Sequence, residues 1–152
     1  MSSLTVSTTI ARSPADVYEL LDDLANHEQF TDHFLVDWHM TREDTRGVGA
    51  GVRLRATVGS HRDAEITVIE SSPSRIVETG RGGKDMRSRT RGTFALESSG
   101  DGTLVTFTLE MEPASLVERI QAPVARAYMR KQNAKAMERL KALMEAKTPA
   151  VS

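Results

Sequence analysis

Residues 86–113 read MRSRTRGTFALESSGDGTLVTFTLEMEP, two alternating runs joined by a turn. Val105, Phe107, Leu109 and Met111 alternate with Thr106, Thr108 and Glu110, the period-two pattern of a strand buried on one face. Phe94 and Leu96 mark the buried face of the preceding run, and the same parity carries Ser88 and Thr90 inward and Arg87, Arg89 and Arg91 outward. Ser99-Gly100-Asp101-Gly102 is a tight hairpin turn. Pro113 has no amide hydrogen to continue a ladder and ends the second strand. The stretch predicts two neighbouring antiparallel strands, Met86 to Glu97 and a partner closing at Met111, whose apolar face must be covered by another element.

The cover follows in the chain. Ala114 to Lys147 reads as one long helix with two apolar faces: Leu116, Ile120, Val124 and Ala127 form one stripe, and Met137, Leu140 and Met144 form a second, rotated about the axis. Pro123 lies inside this helix and is expected to kink it. A helix that changes face midway can pack on the sheet with one half and close a cavity with the other. Thr148 to Ser152 is expected to be a loose tail.

Upstream the period-two pattern repeats. Arg75 to Thr79 is a strand, reached by the turn Ser71-Ser72-Pro73-Ser74 from a run with Ala64, Ile66 and Val68 inward. Val52, Leu54, Ala56 and Val58 alternate with Arg53, Arg55 and Thr57, apolar in and basic out. Before the polar turn Thr41 to Gly51, Phe34, Val36, Trp38 and Met40 are expected on one face, with Leu35, Asp37 and His39 on the other. The chain opens on Leu4, Val6, Thr8 and Ile10, again alternating. A helix then starts: Ser13 is a good N-cap, Pro14 suits the first helical position, and Asp16 places a carboxylate near the N-terminus. Val17, Leu20, Leu21 and Leu24 recur at helical spacing, and a second short helix is expected to end near His33. The reading is an α+β domain over residues 1–147. It has one strand, two short helices, about six further antiparallel strands and a long helix gripped by the curved sheet.

Composition narrows the function. A chain of 152 residues with 39% hydrophobic side chains is long enough to bury roughly 70% of its unfolded surface in a core. Twenty basic against 21 acidic side chains give a net charge of -1, which argues against a nucleic-acid binder. No cysteine is present, so disulfides, thiolate nucleophiles and iron–sulfur clusters are excluded, in keeping with a reducing cytoplasm. Met1 to Ser13 shows no signal-peptide pattern, and no apolar run approaches the ~18 residues of a membrane span; a cytoplasmic location is expected.

The chain resembles the START-like superfamily, also called SRPBCC or Bet v 1-like, in its polyketide cyclase/dehydrase and lipid transport branch. The carriers are Ser13-Pro14-Ala15-Asp16-Val17-Tyr18 after the opening strand and Gly47-Val48-Gly49 before the strand Val52 to Val58. The strand start Gly102-Thr103-Leu104-Val105-Thr106 and the closing Glu138-Arg139-Leu140-Lys141 complete the set, so the resemblance spans nearly the whole chain. It implies the helix-grip fold, with a sheet of about six to seven strands around the long helix. It also implies a deep cavity for lipids, polyketides or other apolar molecules, without fixing a reaction.

Few residue patterns offer chemistry of their own. His27, His33, His39 and His61 lack metal-ligand spacing, Gly59-Ser60-His61 is not a nucleophile elbow, and no metal or cofactor is expected. Gly47-Val48-Gly49-Ala50-Gly51 and Gly80-Arg81-Gly82-Gly83-Lys84 both precede strands, which is wrong for a phosphate loop; the second also suits a mobile lip over an entrance. The arginine row Arg87, Arg89, Arg91 reads as a solvated face beside Arg53 and Arg55, balanced by Glu65 and Glu110. A bulge at Gly92 would instead turn Arg89 or Arg91 into the cavity. With the regular register the cavity is expected to be lined by Trp38, Met40, Leu54, Ala56, Ile66, Val68, Ser88, Thr90, Phe94, Phe107, Leu109 and Met111, closed from the helix by Ile120, Val124 and Tyr128. The polar inward groups, Ser88, Thr90, the Trp38 indole and the Tyr128 hydroxyl, need partners that a ligand could supply. No paired carboxylates for acid–base work fall in this interior.

Three functions fit: a binding protein for a small hydrophobic molecule, a polyketide cyclase, aromatase or dehydrase acting in the same cavity, and a protein-interaction module that docks through its exposed arginines or charged helix face.

Overall fold

The computed structural model describes residues 2–147; the expected tail lies outside the described residues. Strand β1, Ser2–Ile10, is followed by helix α1, Pro14–Leu21, a 3₁₀ turn, Leu24–His27, and helix α2, Glu28–Thr31. Six strands come next: β2 Leu35–Met40, β3 Gly51–Ala56, β4 Asp63–Ser72, β5 Arg75–Gly82, β6 Ser88–Ser99 and β7 Gly102–Glu112. Helix α3, Leu116–Ala146, closes the described chain. The seven strands form one antiparallel sheet in the order β1-β7-β6-β5-β4-β3-β2. This is the helix-grip arrangement.

Local chemistry explains the boundaries. At α1 the Ser13 hydroxyl accepts from the Asp16 amide at 3.2 Å and Pro14 occupies the first turn. At α3 the Ser115 hydroxyl accepts from the Glu118 amide at 3.2 Å, while the Glu118 carboxylate accepts from the Ala114 amide at 2.8 Å; two free amides are satisfied reciprocally, as in a capping box. Ser99 pairs with Gly102 across the β6–β7 turn, where Gly100 has φ 57.

The inner faces are largely those expected. β1 sets Leu4, Val6 and Thr8 opposite Leu109, Phe107 and Val105. β6 pairs with β7 without interruption from Arg89 to Ser99, so no bulge forms at Gly92, and Arg87, Arg89 and Arg91 are exposed on the outer face.

Three elements differ from expectation. β3 ends at Ala56, which leaves Val58 53% exposed instead of inward. In β2, Leu35 lies opposite Ala56 and Met40 opposite Val52, but the register shifts between Val36 and His39, and Asp37 has φ 56. This bulge turns Leu35, not Val36, to the inner face. In α3 the second stripe is buried as read, with Met137, Leu140 and Met144 at 1%, 0% and 1% exposure. The first points the other way: Leu116, Ile120 and Val124 are 72%, 72% and 76% exposed. The helix runs unbroken through Pro123. Its C-terminal half is tied down by polar contacts, since Lys141 donates to the Thr9 carbonyl at 2.6 Å and Arg12 donates to the Met144 carbonyl at 2.9 Å. Arg139 bridges Asp32 (2.6 Å) and His33 Nδ1 (2.7 Å), locking α2 to the same half.

Candidate functional site

Between the inner face of the sheet and α3 lies a cavity of about 460 Å³. Its wall contains eleven of the residues expected there: Trp38, Leu54, Ala56, Ile66, Ser88, Thr90, Phe94, Phe107, Leu109, Met111 and Tyr128. Met40 and Val68 belong to the surrounding core instead, Val68 being 4% exposed. Ile120 and Val124 do not close the cavity, because their side of α3 faces solvent. The side that does face it carries smaller residues, Ala122 and Ala125, with Tyr128, Met129 and Asn133 further along. Small side chains on a helix that spans a concave sheet leave space, and that is why the cavity exists.

The cavity reaches the surface near the start of α3, where exposed Glu112 and Gln121 contribute to its wall. There the Ser88 hydroxyl donates to Glu118, which ties β6 to the helix. This bond is the main reason the Glu118 carboxyl sits below its ordinary range. A Cβ on Gly83 (φ 72) would fall 2.6 Å from Ser88 Oγ and 2.9 Å from Glu118 Oε1, so the contact needs glycine at that position. The glycine-rich stretch 80–84 is otherwise strand as far as Gly82, and Gly80 pairs with Thr90.

Most polar groups of the wall are already satisfied. The Trp38 indole donates to the Leu35 carbonyl at 3.0 Å, and the Asn133 amide donates to the Met129 carbonyl at 2.9 Å. His27 Nε2 lies 2.8 Å from the Leu21 carbonyl oxygen. A carbonyl only accepts, so that nitrogen carries the proton and Nδ1 is bare. Burial lowers the His27 pKa, so the ring is neutral, packed against Phe30 and Phe94 at centroid distances of 5.2 and 5.4 Å.

The Thr90 and Tyr128 hydroxyls border the open space, and Glu78 stands apart with a fully buried oxygen left unpaired. It stands on the inner face of β5 between Val68 and Gly92. Among the described residues its Oε2 is the buried side-chain oxygen or nitrogen that has no hydrogen-bond partner. The residue keeps some accessible surface, but protein surrounds it, so that surface is cavity wall. Burial raises its pKa from 4.5 to about 7 by disfavouring the carboxylate. Gly92 makes room for it: a Cβ there would sit 3.2 Å from Glu78 Cγ and 3.0 Å from the Phe107 ring.

Sequence reading did not find Glu78. In Arg75-Ile76-Val77-Glu78-Thr79 the adjacent Ile76 and Val77 are both buried, so the run has no single apolar parity. The signal lay one strand away, since counting back from Phe94 through its pairing with Ile76 turns Glu78 inward. Among the described residues, no three His, Asp or Glu side chains gather where they could hold a metal ion, and no helix is long and apolar enough to cross a membrane.

No curated protein matches this chain in sequence. Among solved structures it is similar to KanY, with a TM-score of 0.77 at 18% identity over 95% of this chain and 97% of that one. It is also similar to TTHA0849 from Thermus thermophilus, with a TM-score of 0.71 at 18% identity over 95% and 98% of the two chains. DynU16, a protein in the dynemicin biosynthetic locus, matches with a TM-score of 0.65 at 16% identity, over 98% of this chain and 49% of its own. At such identities the likeness speaks for the fold. The family model described as polyketide cyclase / dehydrase and lipid transport matches residues 1–145, and the chain therefore belongs to that family.

Proposed function

We propose that residues 1–147 act as one unit that binds a small hydrophobic molecule, a lipid, a polyketide or a similar compound, between the sheet and α3. The observation that carries this reading is the cavity itself, about 460 Å³ of space walled chiefly by apolar side chains such as Leu54, Ile66, Phe94 and Phe107. That volume lies in the range of small-molecule sites, which combine apolar walls with a few placed polar groups. Family membership supports the same class of ligand.

Native mass spectrometry of protein purified from its own host tests it, followed by denaturing extraction. A stoichiometric apolar compound is the expected result. A ligand-free mass, together with no thermal shift across a panel of lipids and polyketides, would remove the binding reading.

One observation favours a second reading, in which the bound molecule is also changed as in a cyclase, aromatase or dehydrase. A carboxyl with a pKa of about 7 both gives and takes protons near neutral pH, which is what a general acid–base group needs. Turnover of an extracted ligand by the native protein and its loss in Glu78→Gln would support this reading; unchanged turnover in the variant would remove Glu78 from it.

A further inference from the structure

The cavity wall holds an unbalanced set of hydrogen-bonding groups. The donors of Trp38, Asn133 and His27 all point at main-chain carbonyls, and the Ser88 hydroxyl is held by Glu118. The Thr90 and Tyr128 hydroxyls also border the space and can donate or accept; the fully buried side-chain atom left without a partner among the described residues is Oε2 of Glu78. A buried polar atom without a partner is destabilising, and here it borders empty space large enough for a ligand.

Charge points the same way. Of the elements facing Glu78, the 3₁₀ turn contributes His27, which burial keeps neutral. Helix α3 contributes Tyr128, and Glu118 where the cavity opens. The sheet carries Glu65 on β4, Arg81 on β5 and Arg89 on β6, which border the cavity with His61 of the β3–β4 loop but, like Arg91, stand outside the inner-face parity of Ile66, Gly80 and Thr90. Among the described residues, no cationic side chain of these strands shares the inner face with Glu78.

We propose that the cavity selects apolar ligands whose polar head donates a hydrogen bond, a hydroxyl or an ammonium, to Glu78, and rejects those whose head is an anion. This deepens the binding reading above and rests on it. The head supplies the donor that Oε2 lacks, and an ammonium additionally pairs with the carboxylate. Once Glu78 is ionised, above about pH 7, a carboxylate or phosphate head brings a second negative charge into the same low-dielectric space, where like charges disfavour one another most.

Displacement of the neutral dye Nile red by decan-1-ol, decylamine and decanoate tests the proposal, on the wild-type protein, Glu78→Gln and Glu78→Met, near pH 8.5 where decanoate is ionised. Thermal midpoints establish that each variant is folded. Because the three heads differ in their own solubility, the readout is each ligand's affinity in wild type relative to the variants.

The wild type is expected to favour the alcohol and the amine over decanoate by about tenfold more than either variant does. The amine's advantage should fall further than the alcohol's, since it alone loses an ion pair, and the two donor classes are thereby told apart. Equal preference among the three heads in wild type and variants overturns the head-group selection while leaving an apolar binding site intact. Tighter binding of decanoate to the wild type also overturns it. If Nile red and all three compounds fail to bind, the binding reading falls and this inference falls with it.

Discussion

Burial holds the Glu78 carboxyl neutral up to about pH 7 in the folded protein, whereas its ordinary value is 4.5. Well below pH 4.5 both states are protonated and the residue adds no pH-linked cost. As pH rises from there through about 7, the unfolded chain ionises and the folded one resists, so stability falls, and above 7 the loss levels off at about 3 kcal/mol. Glu78→Gln removes this penalty. Urea unfolding is expected to show the variant more stable by up to about 3 kcal/mol near pH 8.5 and equal to wild type near pH 4. Parallel pH profiles would mean that the carboxyl is solvated. His27 has the opposite linkage: its pKa, lowered from 6.5, leaves stability intact above 6.5 and removes it as pH falls through the folded value. Its effect therefore stays when Glu78 is replaced, and the variant should retain the acid limb of the profile.

Helix α3 carries the next scale of argument, because its two halves have different tasks. Leu140 is fully buried, and Leu140→Ala is expected to cost about 2–5 kcal/mol, a transfer loss plus a cavity. Ile120→Ser and Val124→Ser, on the solvent side, are expected to stay within about 0.5 kcal/mol. Chemical denaturation measures both, and a large loss at Ile120 would mean that the first half packs inward after all. At the start of the helix, Ser115→Ala is expected to cost about 1 kcal/mol through the lost cap. Glu118→Ala removes the acceptor of both Ala114 and Ser88, and hydrogen exchange should quicken at residues 83–88 while β1 and β7 keep their protection. Uniform protection in the variant would show that the connection between β5 and β6 is held by other contacts.

The same elements show which features the sequence discloses. The cap of α1, the β6–β7 turn and the outward arginines were legible because each depends on neighbours within a few residues: a hydroxyl three positions before an amide, or a parity carried along one strand. The bulge in β2 was not, since it puts φ 56 at Asp37, a residue that gives no glycine signal. The first stripe of α3 misled for a physical reason. An apolar stripe normally marks the buried face, but where a helix spans a cavity the facing side is small, and the large aliphatics fall on the other side. Glu78 was hidden because its face is fixed by pairing with β6, and a buried, unpartnered acid is against the expectation for any interior.

For the whole molecule the cavity is a deficit in packing that a ligand can offset. The walls around the 460 Å³ space lack contact partners on one side, and a bound apolar molecule restores them. A ligand at about 100 times its dissociation constant stabilises the folded state by about 2.7 kcal/mol. For a chain of 152 residues that corresponds to a rise in melting temperature of roughly 5–10 °C. Ala122→Trp puts an indole into the space from the α3 side, where Ala122 is part of the wall. Differential scanning calorimetry of the two proteins, with and without decan-1-ol, separates the alternatives. If the cavity is the binding site, the wild type shows the ligand-induced rise and the filled variant loses it while keeping a cooperative transition. If the ligand instead lies on the exposed stripe of Leu116, Ile120 and Val124, both proteins shift equally, because the indole does not touch that face.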